Sequence, residues 1–117
     1  DVREMAILAT AVVLDQPYEI AHHRTAALRA GVTPAKVDAI IADEAGGLEP
    51  LERAVVAYAV QVSRARTVED ATFEELRSYF SDGEMADLVL TVAWYHLCAA
   101  VLGPLEVELE VDDGHAG

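Results

Sequence analysis

The residues most able to do chemistry lie on one short predicted helix between Pro17 and Gly31. Proline suits the first position of a helix, and glycine suits the position just past its end. Glu19 stands three residues before His22 and four before His23, so the three side chains share about one helix face. A carboxylate beside an imidazole can move a proton near neutral pH. The plainer alternative is a helical ion pair that contributes only about 0.2–0.5 kcal/mol.

Metal binding is a second interpretation of the same residues. Glu19 and His22 have the Glu-x-x-His spacing that forms half of a di-metal site in helical bundles. A second such pair is missing, because alanine stands three residues before His96. One metal ion bound by Glu19 with His22 or His23, and with Glu4 as a further ligand, is therefore the alternative to metal-free chemistry.

Aromatic residues could line a pocket beside this helix. Tyr18 could hydrogen-bond a substrate carbonyl, or pack with its hydroxyl at an edge. Trp94, Tyr95 and His96 are consecutive, so their side chains point in different directions and at least one faces away from any pocket. His96 fits either a core histidine or a residue of the pocket wall.

Apolar periodicity and helix-end signals predict an all-α domain of six helices that places these residues. The helices are expected at about residues 1–15, 17–30, 34–42, 50–66, 72–80 and 81–102, with a loop at 43–49. Capping boxes at 72–75 and 81–84 open the last two. The first and last helices are apolar around most of their surface, so both are expected to be buried. Residues 1–117 form one domain, with a core at about 3–102 and an acidic tail at 105–117.

The composition of the chain argues for some classes of partner and against others. Its 117 residues carry a formal net charge of −13, which opposes binding to nucleic acid and to anionic membrane surfaces. Uninterrupted apolar runs, such as residues 55–60, are predicted to be too short to span a membrane. A hydrophobic fraction of 53% is high for so small a chain and predicts buried subunit contacts. Cys98 is the only cysteine, so no internal disulfide forms, which agrees with a cytoplasmic protein.

From about Arg3 to Leu102 the sequence resembles the carboxymuconolactone decarboxylase and alkylhydroperoxidase-D-like superfamily. The resemblance rests on the order of long and short helices and on these segments: Arg3-Glu4-x-x-Ile7-Leu8, Tyr18-Glu19-x-x-x-His23, Ala27, Gly31, Lys36-Val37-x-Ala39-Ile40 and Trp94-Tyr95-His96. It implies a compact six-helix fold that assembles into homotrimers or homohexamers, with sites near the subunit contacts.

The thiol chemistry of the peroxidase branch does not carry over to this chain. That branch has Cys-x-x-Cys-x-x-x-His with a glutamate upstream, and the matching positions here are Gln16, Glu19, His23 and Glu4. The acid and the imidazole are kept, whereas both thiols are replaced. Peroxide reduction by this route needs a thiolate and a resolving partner, and Cys98 stands alone.

The resemblance therefore implies a small-molecule enzyme that transfers a proton next to a carbonyl, as in decarboxylation, isomerisation or lactone chemistry. His23 is the expected acid and base, with Glu19 as its partner and Glu4 as a second carboxylate. Substrate contacts are expected from Tyr18, Gln16, His22, Tyr95 and His96. The substrate is expected to be apolar or cyclic with a carbonyl or carboxylate. No cofactor is expected, apart from the single metal ion of the alternative interpretation.

Three alternatives stay open from the sequence. The first is a non-catalytic oligomeric module that binds a ligand or a partner protein, which the loss of both thiols supports. The second is the metal-assisted enzyme that uses Glu19, His22 and His23. The third is residual redox activity through Cys98.

Overall fold

The computed structural model describes residues 2–105 and is all-helical over that range. The elements are α1 (Val2–Val13), α2 (Pro17–Arg29), α3 (Pro34–Ile41), a short 3-10 helix (Ala45–Gly47), α4 (Pro50–Ala65), α5 (Asp70–Tyr79) and α6 (Asp82–Leu102). The prediction of six helices is confirmed, and the predicted bounds lie close to the observed ones. Apart from Leu105, the acidic tail predicted at 105–117 lies outside the described residues.

Helix α1 lies at the centre and packs against α2, α3, α4 and α6. Its residues from Met5 to Ala11 are all buried, and three of them are alanines that let neighbouring helices approach closely. The hydroxyl of Thr10 is fully buried in this stretch, and it donates a hydrogen bond to the carbonyl of Ala6 at 2.8 Å. The prediction that the first helix is covered on most sides is thus confirmed.

The turn between α1 and α2 folds the second helix back against the first. Asp15 adopts a left-handed conformation with φ of 54°, as the residue just past a helix end often does. Its N–H donates to the carbonyl of Val12, and the N–H of Gln16 donates to the carbonyl of Ala11. These two bonds satisfy carbonyls at the end of α1 and reverse the chain within a few residues. Pro17 then occupies the first turn of α2, as predicted.

The predictions for the end of α2 and the start of α5 had opposite outcomes. Gly31 follows α2 with φ of 98°, which confirms the predicted glycine stop. The capping box at 72–75 is wrong, because α5 begins at Asp70 after Glu69. Gln61 on α4 explains the earlier start: its side chain accepts a hydrogen bond from the N–H of Glu69 at 2.8 Å and donates one to the hydroxyl of Thr72 at 3.0 Å.

Helix α6 begins with the predicted capping box, in which the side chains and backbone N–H groups of Ser81 and Glu84 pair reciprocally. The prediction that this helix is buried all round is wrong for a single chain. Met85, Leu88 and Val92 are its buried residues, because only one side of α6 packs against the rest. Its other side exposes large apolar residues: Val89, Leu90, Trp94, Leu97 and Val101.

The length and hydropathy of α6 would also allow it to cross a membrane. The expectation that apolar segments are too short to do so therefore fails for this helix. Core helices of soluble proteins pass the same test, so the observation is weak support for a membrane span.

Candidate active site

His23 lies between two carboxylates at the contact of α1 with α2. Its Nδ1 is 2.9 Å from Oε1 of Glu4, and its Nε2 is 3.6 Å from Oε2 of Glu19. The three side chains are only 8%, 17% and 10% exposed, respectively. The acid of one helix and the histidine of the next therefore meet in a site that excludes most water.

The contact with Glu4 fixes the proton on one nitrogen of the ring. An ionised carboxylate only accepts hydrogen bonds, so the tautomer with its proton on Nδ1 is the one that fits a contact with ionised Glu4. Nε2 is then the nitrogen that can gain or lose a proton, and Glu19 lies beside it. Such an arrangement can exchange one proton between Nε2 and a carboxylate or a bound substrate while the ring is held in place.

Two other rings contact the imidazole of His23. The ring of Tyr95 on α6 meets it edge to face, with centroids 5.0 Å apart. The ring of His22 also meets it edge to face, with centroids 4.9 Å apart, and Tyr18 stacks on His22 in parallel at 6.3 Å. Burial raises the pKa of the Tyr95 phenol, and the nearby charges of Glu19 and Glu4 add to this, whereas Arg3 opposes it. Tyr95 is thus a neutral hydrogen-bond donor around neutral pH.

Gln16 and His96 make their observed contacts elsewhere, although the sequence grouped both with the pocket. The amide of Gln16 donates to the carbonyl of Leu14 at 3.1 Å, within the turn that joins α1 and α2. Nε2 of His96 is 3.0 Å from the hydroxyl of Ser63 on α4. Burial lowers the pKa of His96, and the positive charge of Arg66 lowers it further.

Cys98 is half-buried on α6. Burial raises the pKa of its thiol, and the charge of Glu19 acts in the same direction. The neutral thiol is therefore favoured at neutral pH, which makes Cys98 a poor nucleophile.

No group of three His, Cys, Asp or Glu side chains among residues 2–105 is placed to bind a metal ion. The reason is visible at His23, where both ring nitrogens face carboxylates on opposite sides rather than a shared point. The predicted set of Glu19, His22 and His23 therefore does not converge on one position in this structure.

A cavity of about 490 Å³ has Tyr95 in its wall, whereas His23, Glu4 and Glu19 are not among the residues that line it. Residues of α1, α4 and α6, together with Phe80 just after α5, form its wall. Its polar lining consists of Arg3, Glu84, Asp87, Thr91 and Tyr95, and its apolar lining includes Val55, Phe80, Leu88 and Trp94. Tyr95 thus belongs both to the cavity wall and to the ring cluster around His23.

This cavity was not predicted from the sequence. Its signal was the spacing of Glu84, Asp87, Thr91 and Tyr95, which stand three or four residues apart on an otherwise apolar helix. Polar residues on one stripe of such a helix indicate a wet surface, even where neighbouring positions are apolar.

Comparison with known proteins places the chain in a family. Residues 1–61, slightly more than half of the chain, match the carboxymuconolactone decarboxylase family. The protein is a member of this family, as its resemblance indicated.

The fold is also found in a crystal structure from Agrobacterium tumefaciens. That protein is of unknown function, with a suggested role as the antioxidant defence protein AhpD. The two structures agree with a TM-score of 0.86 at 16% sequence identity, over 95% of this chain and 78% of the other. At this identity the match shows the fold alone. No protein with a curated description matches the chain.

Proposed function

We propose that this protein is a thiol-independent enzyme that transfers a proton next to a carbonyl group, with decarboxylation, isomerisation or lactone chemistry as its specific forms. The observation that supports it is the buried imidazole of His23 held between Glu4 and Glu19. A ring fixed at one nitrogen and free to exchange a proton at the other suits general acid and base catalysis. Membership of the carboxymuconolactone decarboxylase family agrees with this chemistry.

Each residue of the cluster has a distinct role in this proposal. Glu4 orients the ring through its 2.9 Å contact with Nδ1. Nε2 of His23 accepts a proton from the carbon beside the carbonyl, and Glu19 stabilises the imidazolium that results. In isomerisation this proton returns to the substrate at a new carbon. In decarboxylation no carbon-bound proton is removed: the carboxylate leaves as carbon dioxide, its electron pair forms the enolate beside the carbonyl, and protonated His23 gives a proton to that carbon.

Tyr95 connects this chemistry to the space where a substrate fits. Its ring contacts His23, and it also lines the 490 Å³ cavity, whose volume suits a small cyclic molecule. The neutral phenol donates a hydrogen bond to the carbonyl oxygen as negative charge develops there. Tyr18 stacks on His22, which contacts His23, so both support the imidazole from α2, although neither lines the cavity.

The experiment follows proton exchange at carbon, which does not require the natural substrate. Cyclic ketones, unsaturated lactones and β-keto acids are incubated with the protein in deuterium oxide, and NMR records deuterium uptake and carbon dioxide release. We expect His23→Gln to lower the rate by about 10²–10⁴-fold. Glu4→Gln and Glu19→Gln should lower it less.

Glu74→Gln is the matched control, because it neutralises an exposed carboxylate on α5 far along the chain from the cluster. Circular dichroism establishes that each variant is folded. Undiminished exchange in His23→Gln would overturn the proposal. Binding of these compounds without any exchange would instead support the alternative, a non-catalytic ligand-binding module.

Assembly into homo-oligomers, as trimers or hexamers, is part of the same proposal. Leu90, Leu97 and Val101 are 67%, 52% and 49% exposed, and they stand seven and four residues apart along α6. Such a stripe is typical of a seam between helices. Size-exclusion chromatography with light scattering should give a multiple of the 12.6 kDa chain.

Leu97→Glu should reduce that mass, whereas Leu28→Glu, on the less exposed surface of α2, should leave it unchanged. A wild-type mass of one chain would refute the assembly.

A further inference from the structure

The cavity beside Tyr95 runs along one stripe of α6 and is chemically different at its two ends. Glu84, Asp87, Thr91 and Tyr95 line it and lie on one side of the helix. Since an α-helix rises 1.5 Å per residue, Glu84 and Tyr95 are separated by about 16 Å along the axis. One end of the cavity therefore carries two carboxylates, and the other carries the phenol that contacts His23.

The wall of the cavity is also apolar and aromatic. Leu88 lies between the two ends along α6, whereas Trp94 is next to Tyr95 and Phe80 precedes the helix. An indole face attracts both aromatic rings and cationic groups, because its π-electrons carry negative charge. An apolar wall beside a pair of carboxylates favours a molecule that is apolar at one end and positively charged at the other.

The net charge of the chain also favours a positively charged ligand. A net charge of −13 creates a field that concentrates cations at the surface and repels anions. Within the cavity wall, two carboxylates outnumber the single guanidinium of Arg3.

We propose that this cavity binds cyclic, apolar molecules that bear an ammonium group, with the ammonium at Glu84 and Asp87 and the ring against Trp94. This inference deepens the proposed function, and it rests on that function only where it takes the cavity for the substrate site. It assigns the substrate a positive charge remote from the reacting carbonyl, which lies at the Tyr95 end.

Trp94 is the only tryptophan, so its fluorescence reports directly on this cavity. Three probes of matched shape are titrated at neutral pH: phenylbutylamine as the cation, phenylbutanol as the neutral analogue and phenylbutyrate as the anion. We expect the amine to bind about three- to tenfold more tightly than the alcohol. The anion should bind most weakly. Equal or tighter binding of the anion, or no change in fluorescence with any probe, would overturn the proposal.

A pair of variants separates a local effect from the general negative field. Asp87→Asn should remove most of the preference for the amine over the alcohol, because it removes a carboxylate from the cavity wall. Glu74→Gln makes the same change of net charge on the exposed surface of α5 and should keep the preference. If both variants behave alike, the cavity carboxylates do not hold the ammonium group and the proposal is wrong.

His23→Gln distinguishes this inference from the proposed function. Amine binding should persist in that variant, because the ammonium end of the cavity is distant from His23. If the protein does not prefer the amine over the alcohol but still exchanges protons through His23, the ligand class is wrong and the catalytic proposal stands. If it prefers the amine but its proton exchange is unchanged in His23→Gln, the catalytic proposal is wrong and the ligand class stands.

Discussion

The hydrogen bond between His23 and Glu4 should contribute measurably to the stability of the fold. A double-mutant cycle with Glu4→Ala, His23→Ala and the double variant isolates their interaction from other effects of each substitution. The two groups are 2.9 Å apart and their side chains are only 8% and 17% exposed. A hydrogen bond that involves a charged group in such a position contributes about 1.5–3 kcal/mol to the free energy of unfolding.

The matched control is the exposed ion pair of Arg24 and Asp38, which also joins two helices. Their atoms are 3.3 Å apart and their side chains are 49% and 67% exposed, so a coupling of about 0.2–1 kcal/mol is expected. Urea unfolding followed by circular dichroism measures both cycles at one fixed protein concentration, because assembly would add to stability. A coupling between His23 and Glu4 no larger than the control would refute the view that these groups form a fixed, buried pair.

Three further predictions concern the backbone and the response to pH. Gly31→Ala should lower the free energy of unfolding by about 1–2 kcal/mol because of the φ of 98°, since an added Cβ meets no atom within 4 Å. Gly46→Ala is the control, because φ is not positive there, and it should show no such loss in urea unfolding. Asp15→Gly should stabilise the protein by up to about 1 kcal/mol in the same assay, because it relieves a left-handed conformation; a loss would refute this. At His96 burial lowers the pKa, so the folded protein binds fewer protons there than the unfolded chain, and the free energy of unfolding should rise with pH up to about 6.5. Unfolding measured across this pH range should show a flatter rise in His96→Gln, and an unchanged slope would contradict the assignment.

The helices could be predicted because their ends are encoded locally. Pro17, Gly31 and the capping box at Ser81 each act within a few residues, so they can be recognised without knowing what lies nearby. The start of α5 could not be predicted in this way. It depends on Gln61, which approaches from another helix and binds the N–H of Glu69.

The contacts of the site differ in the same way: those within one helix could be predicted from their spacing, and those between helices could not. The contact of Glu19 with His23 follows from their spacing on one helix. The contact of Glu4 with His23 joins two helices, and only the resemblance to a known family predicted it. The cavity assembles residues from distant parts of the chain, such as Arg3 and Trp94, and no local pattern brings those together.

The exposed face of α6 shows a different limit of sequence interpretation. An apolar pattern records which residues avoid water in the working protein, whereas burial in a single chain records only what that chain covers. Leu90 and Leu97 belong to the apolar pattern but are exposed in the structure, so the pattern and the burial in a single chain disagree. A second copy that covers this face would reconcile them, which is why the mass in solution is decisive.

The first turn of α1 contributes to two neighbouring places at once. Side chains of consecutive helical residues point about 100° apart, so Arg3 lines the cavity while Glu4 contacts His23. Tyr95 joins the same two places from α6. The wall of the cavity and the carboxylate that contacts His23 therefore depend on the same turn of α1, so a substitution that displaces this turn should alter both places.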